Sequence, residues 1–441
     1  MKKFIVVSFM IVLASALIFS GCKKGPKEEI RIGVPAPLTG MYAGFGEAGV
    51  FGMKAAVEDI NKEGGVPVKE YNGKLPIKLV VVNTESDPQK AGTLAESLIV
   101  NDKVHFLAYG DEPPPMNAGI SNVADRYKVP FICTTGPLEP WMGMRQSVEG
   151  HWQYTWAAGL FALGAPAPAG DFRAGPGYTI GDTWQAMLDL YGNKTNKRVA
   201  LFASDDPDGV GWYAAYPGIL KSLGYNVCGA QKKVGLAPMD TTDFTSVIKA
   251  WKDYKCEILW GNAPAPFVGT LLRQCATQGF KPKMVSIGRA PLFYEDIKSW
   301  GGDIPLGIGC EIWWDPSFAD SPGIGGTTPQ SLAEKWAKET KKQLNRNIGP
   351  GYSIIQVLID AIERAGTLNG EKVNAALAQT DLKTVRHRVK FDENHFSRGP
   401  LVFGQWQKTD KPWVWECPVV FSKHDFIKES AKPLFPIPYN K

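Results

Sequence analysis

The sequence predicts an α/β protein of two doubly wound, parallel-sheet lobes, and three observations lead there. From Ile30 onward, short β-branched runs alternate with helix-length amphipathic stretches. The alternation breaks between Gly164 and Gly181, a stretch rich in Ala, Pro and Gly that reads as an irregular surface excursion. It then restarts at Arg198. Strands separated by helices imply right-handed βαβ units and parallel sheets. A chain of 441 residues has room for two or three compact units.

The elements follow in order. Ile30, Ile32 and Val34 alternate as a strand, and a Gly-rich turn follows. Val50, Met53, Val57 and Ile60 mark one face of a helix stopped by Gly64-Gly65. Strands are then expected at Ile77–Val82, Val104–Ala108 and Val129–Thr134, with helices at Ala91–Val100 and Met116–Tyr127. The second run predicts strands at Arg198–Ser204, Glu257–Gly261 and Met284–Gly288. Helices are expected at Tyr213–Leu223, Phe244–Tyr254 and Phe267–Gln278. Gly46, Gly49 and Gly52 are spaced GxxGxxG, which is not the dinucleotide fingerprint and reads as close helix packing.

Composition excludes several classes. With 44% hydrophobic and 21% charged residues the chain is ordinary globular. A net charge of +5, with no basic tract after the first 30 residues, leaves no footprint for nucleic acid. The sequence has no G-x-S-x-G elbow, no H-E-x-x-H and no phosphate-binding P-loop. His105, His151, His387, His395 and His424 are scattered, and Asp205-Asp206-Pro207-Asp208-Gly209 departs from a calcium loop at Ser204 and Ala215. No catalytic residue, metal or cofactor is therefore expected, and the chain does not read as an enzyme.

The start of the chain has its own logic. Met1-Lys2-Lys3 is followed by an apolar run from Phe4 to Phe19, shorter than the about 20 residues that span a membrane. Residues 1–21 therefore read as a signal peptide. Ser20-Gly21-Cys22 resembles the bacterial lipobox, with Phe19 where that pattern usually has Leu. That resemblance implies a lipidated Cys22, a tether over residues 22–29, and an exported protein anchored at the periplasm or the outer face of the cell membrane. Two or more acyl chains hold firmly, at about 0.8 kcal/mol per buried CH₂. The plainer alternative is a secretory signal with an incidental cysteine. Six cysteines remain, at 133, 228, 256, 275, 310 and 417. Sequence cannot choose among their pairings, though Cys133 lies in an apolar strand and reads as a buried free thiol.

The order of several motifs is more specific. Ile32-Gly33-Val34-Pro35-Ala36-Pro37-Leu38-Thr39-Gly40, Gly44-Phe45-Gly46 and Asp59-Ile60-Asn61-Lys62-Glu63-Gly64-Gly65 open the chain. Asp87-Pro88-Gln89-Lys90-Ala91, Val129-Pro130-Phe131-Ile132 and Asp206-Pro207-Asp208-Gly209-Val210-Gly211 follow. Thr242-Asp243-Phe244, Leu271-Leu272-Arg273-Gln274, Ala361-Ile362-Glu363-Arg364-Ala365-Gly366 and Val389-Lys390-Phe391-Asp392 complete the series. Together they resemble type I periplasmic binding proteins, and within them the branched-chain amino-acid (Leu/Ile/Val-binding-like) branch of ABC importers. The resemblance implies three hinge crossovers, with lobe one at 28–150 plus 315–385 and lobe two at 151–314 plus 386–441. It further implies a monomer that captures a small-molecule ligand in the interlobe cleft and passes it to ABC permease and ATPase subunits. A ligand-sensing receptor feeding a signalling partner is the alternative, and a periplasmic enzyme on the same frame a remoter one.

Candidate ligand-binding residues come from matching that family. Amino-acid binders hold the carboxylate with hydroxyls and backbone N–H groups at two strand ends of lobe one. Here the first end reads Asp111-Glu112-Pro113-Pro114-Pro115, which offers repelling carboxylates and prolines without N–H. Asp111 and Glu112 either face the ligand or cap the following helix. Thr134, Thr135 and Gly136 at the second end keep hydroxyls and amides. Lobe two of the relatives offers an acid for the ammonium after the strand matching Met284–Gly288. This chain has Arg289 there, and Asp208 at the family's tyrosine position. An ordinary α-amino acid therefore fits poorly. Arg289 either forks a ligand carboxylate, pairs with Asp208 or Asp111, or points to solvent. Phe45 is expected against the ligand, and Tyr42 either against it or away. Trp313-Trp314 lies at the second crossover, where strand alternation would turn one ring to the cleft. Most of the fourteen tryptophans read as packing, but aromatic walls suit flat ligands. The ligand expected is a small carboxylate, aromatic or hydrophobic.

Overall fold

The computed structural model describes residues 28–163, 171–318 and 322–439, and at Asp111 and Glu112 the backbone only. The expected signal peptide, Cys22 and most of the tether lie outside the described residues. Five strands of the first sheet alternate with helices: β1 (Ile30–Ala36), α1 (Ala43–Lys62), β2 (Ile77–Asn83), α2 (Pro88–Val100), β3 (Phe106–Glu112), α3 (Pro115–Tyr127), β4 (Phe131–Thr135), α4 (Leu138–Ser147) and β5 (Thr155–Gly159). The strands run parallel in the order β2-β1-β3-β4-β5. Ile32 stands opposite Leu79 on one side and Phe106 on the other. Ile30, Ile32 and Val34 are fully buried, as a parallel strand covered on both faces requires. Asp87 caps α2 by accepting from the Gln89 and Lys90 N–H groups, with Pro88 in the first turn.

The second lobe repeats the plan with α5 (Ile180–Tyr191), β6 (Arg198–Ser204), α6 (Pro207–Ser222), α7 (Thr245–Asp253), β7 (Ile258–Ala263), α8 (Ala265–Thr277), β8 (Met284–Arg289), α9 (Tyr294–Trp300) and β9 (Ile308–Ile312). Strands β6-β7-β8-β9 are parallel neighbours, with Asn226–Val227 and Leu236–Ala237 beside β6. The chain returns to lobe one through α10 (Pro329–Thr340), α11 (Ile348–Ala365) and α12 (Gly370–Leu377). It then supplies β10 (Phe396–Arg398) beside β5 in the first sheet, and β11 (Val402–Gln405) and β12 (Val419–Phe421), antiparallel, to the second. The fold is thus α/β with two parallel-strand lobes.

Strand pairing moves two boundaries. Residues 155–159 and 396–398, expected in lobe two, pair within the first sheet, so the chain first leaves that sheet after Gly159 and leaves it for the last time after Arg398. The end of the predicted surface excursion is also not all surface. Arg173 is buried, where it pairs with Asp171 at 2.5 Å.

The glycine run behaves as its spacing suggests. A Cβ on Gly46 would stand 2.2 Å from the Pro37 carbonyl oxygen, one on Gly49 2.4 Å from that of Gly110, and one on Gly52 2.0 Å from that of Ile348. Three successive turns in the first half of α1 therefore lie directly against a neighbouring backbone, that of α11 included.

Candidate functional site

Open parallel sheets bind ligands beyond the carboxyl ends of their strands. In lobe two those ends carry a charge cluster. β8 finishes at Arg289, which takes a φ of +63° unusual for a side-chain-bearing residue. Its Nη1 donates to Asp206 Oδ1 at 2.9 Å, and its Nη2 donates to Asp206 Oδ2 at 2.9 Å and to Ser204 Oγ at 2.8 Å. Asp208 Oδ2 lies 3.2 Å from Nη1 and also accepts from Asn262 Nδ2 at 3.1 Å. Asp206 is in addition the N-cap of α6, accepting from the Asp208 and Gly209 N–H groups, and Ser204 Oγ donates to it. Burial alone would raise the Asp206 carboxyl, but Arg289 and Ser204 outweigh it and hold the group at about 2. Burial likewise opposes the charge on Arg289, and Asp206 and Asp208 restore it, leaving its pKa raised.

Among the readings open for Arg289, the structure realises pairing, with Asp208 as expected and more closely with Asp206. Both Nη groups are thus engaged, by two carboxylates and a hydroxyl, while Nε has no hydrogen-bond partner. In the sequence Asp206 stands out only as part of a motif. The signal that could have found it was Asp206-Pro207 at a helix start, one strand end from a cation. A second missed residue is Glu311 on β9. It is 5% exposed and accepts from Trp184 Nε1 at 3.2 Å. Burial, with Asp208 adding, pushes its carboxyl up to about 7. Its signal was a single acid inside the apolar strand Ile308–Ile312. Trp184 in turn packs on Trp212, Tyr216 and Trp260, with ring centroids 5.4 to 5.9 Å away.

Lobe one meets this edge through Phe45, whose ring stands edge-on to Phe293 with centroids 4.7 Å apart. Tyr42 stands edge-on to Phe45 with ring centroids 6.5 Å apart. Thr134 and Thr135 end β4 fully buried, and Thr134 Oγ1 has no hydrogen-bond partner. A Cβ on Gly136 would stand 2.7 Å from the Leu160 side chain. Asp111 and Glu112 close β3, with Glu112 opposite Thr135. The cap position of α3 belongs to Pro114, which supplies no side-chain cap, so neither acid occupies it. Trp313 and Trp314 are both buried. Their Nε1 groups donate to Asn347 Oδ1 at 3.1 Å and to the Val385 carbonyl at 3.0 Å. Strand β9 ends at Ile312, so the alternation expected to turn one of these rings outward does not reach them.

Two sheets meeting at their carboxyl edges through residues of both lobes is the layout the motif series implied. The profile of the periplasmic binding protein family matches residues 29–411. The chain belongs to the periplasmic binding protein family. Within it the chain is of type I and of the branched-chain amino-acid branch. A leucine-, isoleucine-, valine-, threonine- and alanine-binding protein of Pseudomonas aeruginosa is 25% identical over 368 residues, covering 83% of this chain and 86% of that one. A leucine-binding protein of Thermotoga maritima superposes with a TM-score of 0.67 at 20% identity, over 89% of this chain and 99% of its own. A solute-binding protein of Rhodopseudomonas palustris in complex with 3,4-dihydroxybenzoic acid gives a TM-score of 0.65 at 20% identity, over 91% and 99%. Membership of this periplasmic binding protein family implies an extracytoplasmic location and a substrate-binding role.

Proposed function

We propose that this protein is the receptor of an ABC importer, anchored through a lipidated Cys22. It captures a small carboxylate with an aromatic or hydrophobic body between its lobes and delivers it to the permease. The observation that carries the reading is the Phe45–Phe293 contact, in which an apolar ring from each lobe closes over the facing strand ends. A ligand touching both lobes stabilises the closed state by its differential contacts, and a membrane partner can read that closed shape. With Arg289 neutralised by Asp206 and Asp208, the carboxylate end falls to the Thr134–Gly136 edge of lobe one, where Thr134 Oγ1 lacks a partner. The lobe-two edge then suits a hydrogen-bond donor on the far end of the ligand. The Rhodopseudomonas palustris relative, solved with an aromatic acid carrying two hydroxyls, is in keeping with that chemistry.

One observation favours a second reading. Asp206 and Asp208 outnumber Arg289, and an acidic edge also suits an ammonium, hence an amino acid. A thermal-shift screen separates the two, since binding raises stability by RT ln(1 + [L]/Kd). Hydroxylated benzoates raising the midpoint while leucine, isoleucine and valine do not is the expected result, and the reverse overturns the carboxylate reading. Deleting the gene should then abolish uptake of the identified ligand. Uptake retained alongside a lost cellular response would favour the sensing receptor.

A further inference from the structure

The parallel topology of lobe two gathers charge that the sequence scatters. Helices between parallel strands run back against them, so α5, α6, α7 and α8 end at the amino edge of the sheet, away from the cleft. The segments that follow these helices are tied together there. Asn196 Nδ2 donates to the Lys255 carbonyl at 2.7 Å, Arg198 Nη1 to the Tyr254 carbonyl at 3.0 Å, and the Asn226 N–H to the Lys197 carbonyl at 2.8 Å. Lys252 Nζ donates to the Gln278 carbonyl, and the Lys283 N–H to that of Glu257 at 2.7 Å. This edge carries Lys194, Lys197, Arg198, Lys221, Lys252 and Lys255, and none of them pairs with a carboxylate among the described residues. The acids at the same ends are already taken: Asp189 by Lys423, Asp253 by Lys249, Glu257 by Lys283 and Asp303 by Lys408. Lys232 and Lys233, exposed and likewise without a carboxylate among the described residues, carry the charge onto the side of the lobe beside β6. A cation at a helix end ordinarily offsets the helix dipole, and lobe one shows such cations balanced. At its amino edge Arg31, Lys62, Lys78, Arg126 and Lys128 pair with Glu29, Asp59, Glu96 and Glu371. The same topology in lobe two leaves a basic surface.

We propose that this end of lobe two docks on anionic phospholipid headgroups. Each Lys or Arg near such a surface adds about fivefold to the affinity. An exposed phenol, Tyr254, lies among the cations, with the Arg198 guanidinium 5.3 Å from its ring centroid. Tyrosine is enriched at the headgroup level of bilayers, and the extracytoplasmic location that the family implies sets lipid rather than nucleic acid within reach. The tether leads into β1 at the amino edge of lobe one, the opposite end of the molecule. Attachment at both ends lays the protein lengthwise on the bilayer and keeps the cleft between them at the membrane surface. That orientation rests on the proposed anchor; the docking itself does not.

The test is co-sedimentation with vesicles, using residues 23–441, which include every described residue of both lobes and carry no acyl chain. Vesicles of mixed phosphatidylglycerol and phosphatidylcholine are compared with phosphatidylcholine alone. Binding to the mixed vesicles that fades as salt is raised, with none to phosphatidylcholine, is expected. Lys194→Gln, Lys221→Gln and Lys255→Gln combined should weaken it about a hundredfold. Lys62→Gln, Lys78→Gln and Lys128→Gln combined, at the end of lobe one, should leave it unchanged. Equal binding to both vesicles, no binding to either, or full affinity in the lobe-two triple variant overturns the proposal. Preference for a DNA duplex over the mixed vesicles at equal phosphate concentration overturns the choice of lipid. Should the lobe-two triple variant fail to fold, the vesicle comparison and its salt dependence decide.

Discussion

Phe45 and Phe293 meet edge to face with centroids 4.7 Å apart, one ring carried at the start of α1 and the other just beyond β8. They join the two lobes at the point where the strand ends face each other. Edge-to-face pairs contribute about 0.5–1.5 kcal/mol beyond area burial. Because the contact spans the lobes, that energy bears on closure rather than on either lobe alone.

Phe45→Ala and Phe293→Ala should each weaken ligand affinity, and the double variant should weaken it by less than the sum. Titration calorimetry across the four proteins reads the coupling, which should be about 1 kcal/mol. Strictly additive losses would show that the rings do not cooperate in closure.

Asp206 both caps α6 and neutralises Arg289, so Asp206→Ala should cost more than loss of a cap alone, about 2–4 kcal/mol in urea unfolding. Its carboxyl is held at about 2, below the ordinary carboxylate value. The stability it contributes is therefore present above about pH 4 and lost as pH falls toward 2. Acid titration of wild type against Asp206→Ala should show the two stabilities converging over that window.

Glu311 predicts the opposite slope. Its carboxyl is pushed up to about 7, so the folded state holds a proton that the unfolded chain releases near its ordinary value. Its contribution is complete below about pH 4.5 and declines as pH rises to about 7, by about 3 kcal/mol in all. Glu311→Gln keeps an acceptor for Trp184 and cannot ionise. It should flatten this decline, and equal pH profiles for the two proteins would contradict the buried position of the acid.

Gly52→Ala should be strongly destabilising, by about 2 kcal/mol or more, because the new methyl would stand 2.0 Å from the Ile348 carbonyl oxygen. Gly211 on α6 is the control, since a methyl added there would meet nothing within 4 Å. Gly211→Ala should leave the unfolding midpoint unchanged or raise it.

Much of the fold was legible because burial periodicity is local. The strands at 30, 77 and 198 and the helices beginning near Ala91 and Met116 emerge within about three residues of their predicted bounds, and the GxxGxxG run gave its packing role. Lobe membership was less legible. Thr155–Gly159 and Phe396–Arg398 carry no mark of which sheet they join, since hydrogen-bonded partners far along the chain decide it.

The site divided along the same line. Sequence by itself determined which chemical groups reach the strand ends: the hydroxyls at Thr134 and Thr135, the ring of Phe45, the guanidinium of Arg289, the acid of Asp208. Tertiary structure alone decided what those groups face. Arg289 meets Asp206, Trp313 and Trp314 turn inward, and the cations of separate loops gather at one end of lobe two. The reason is physical: a side chain's type is written at its own position, whereas the charge or ring opposite it arrives from a strand folded in from a distant part of the chain.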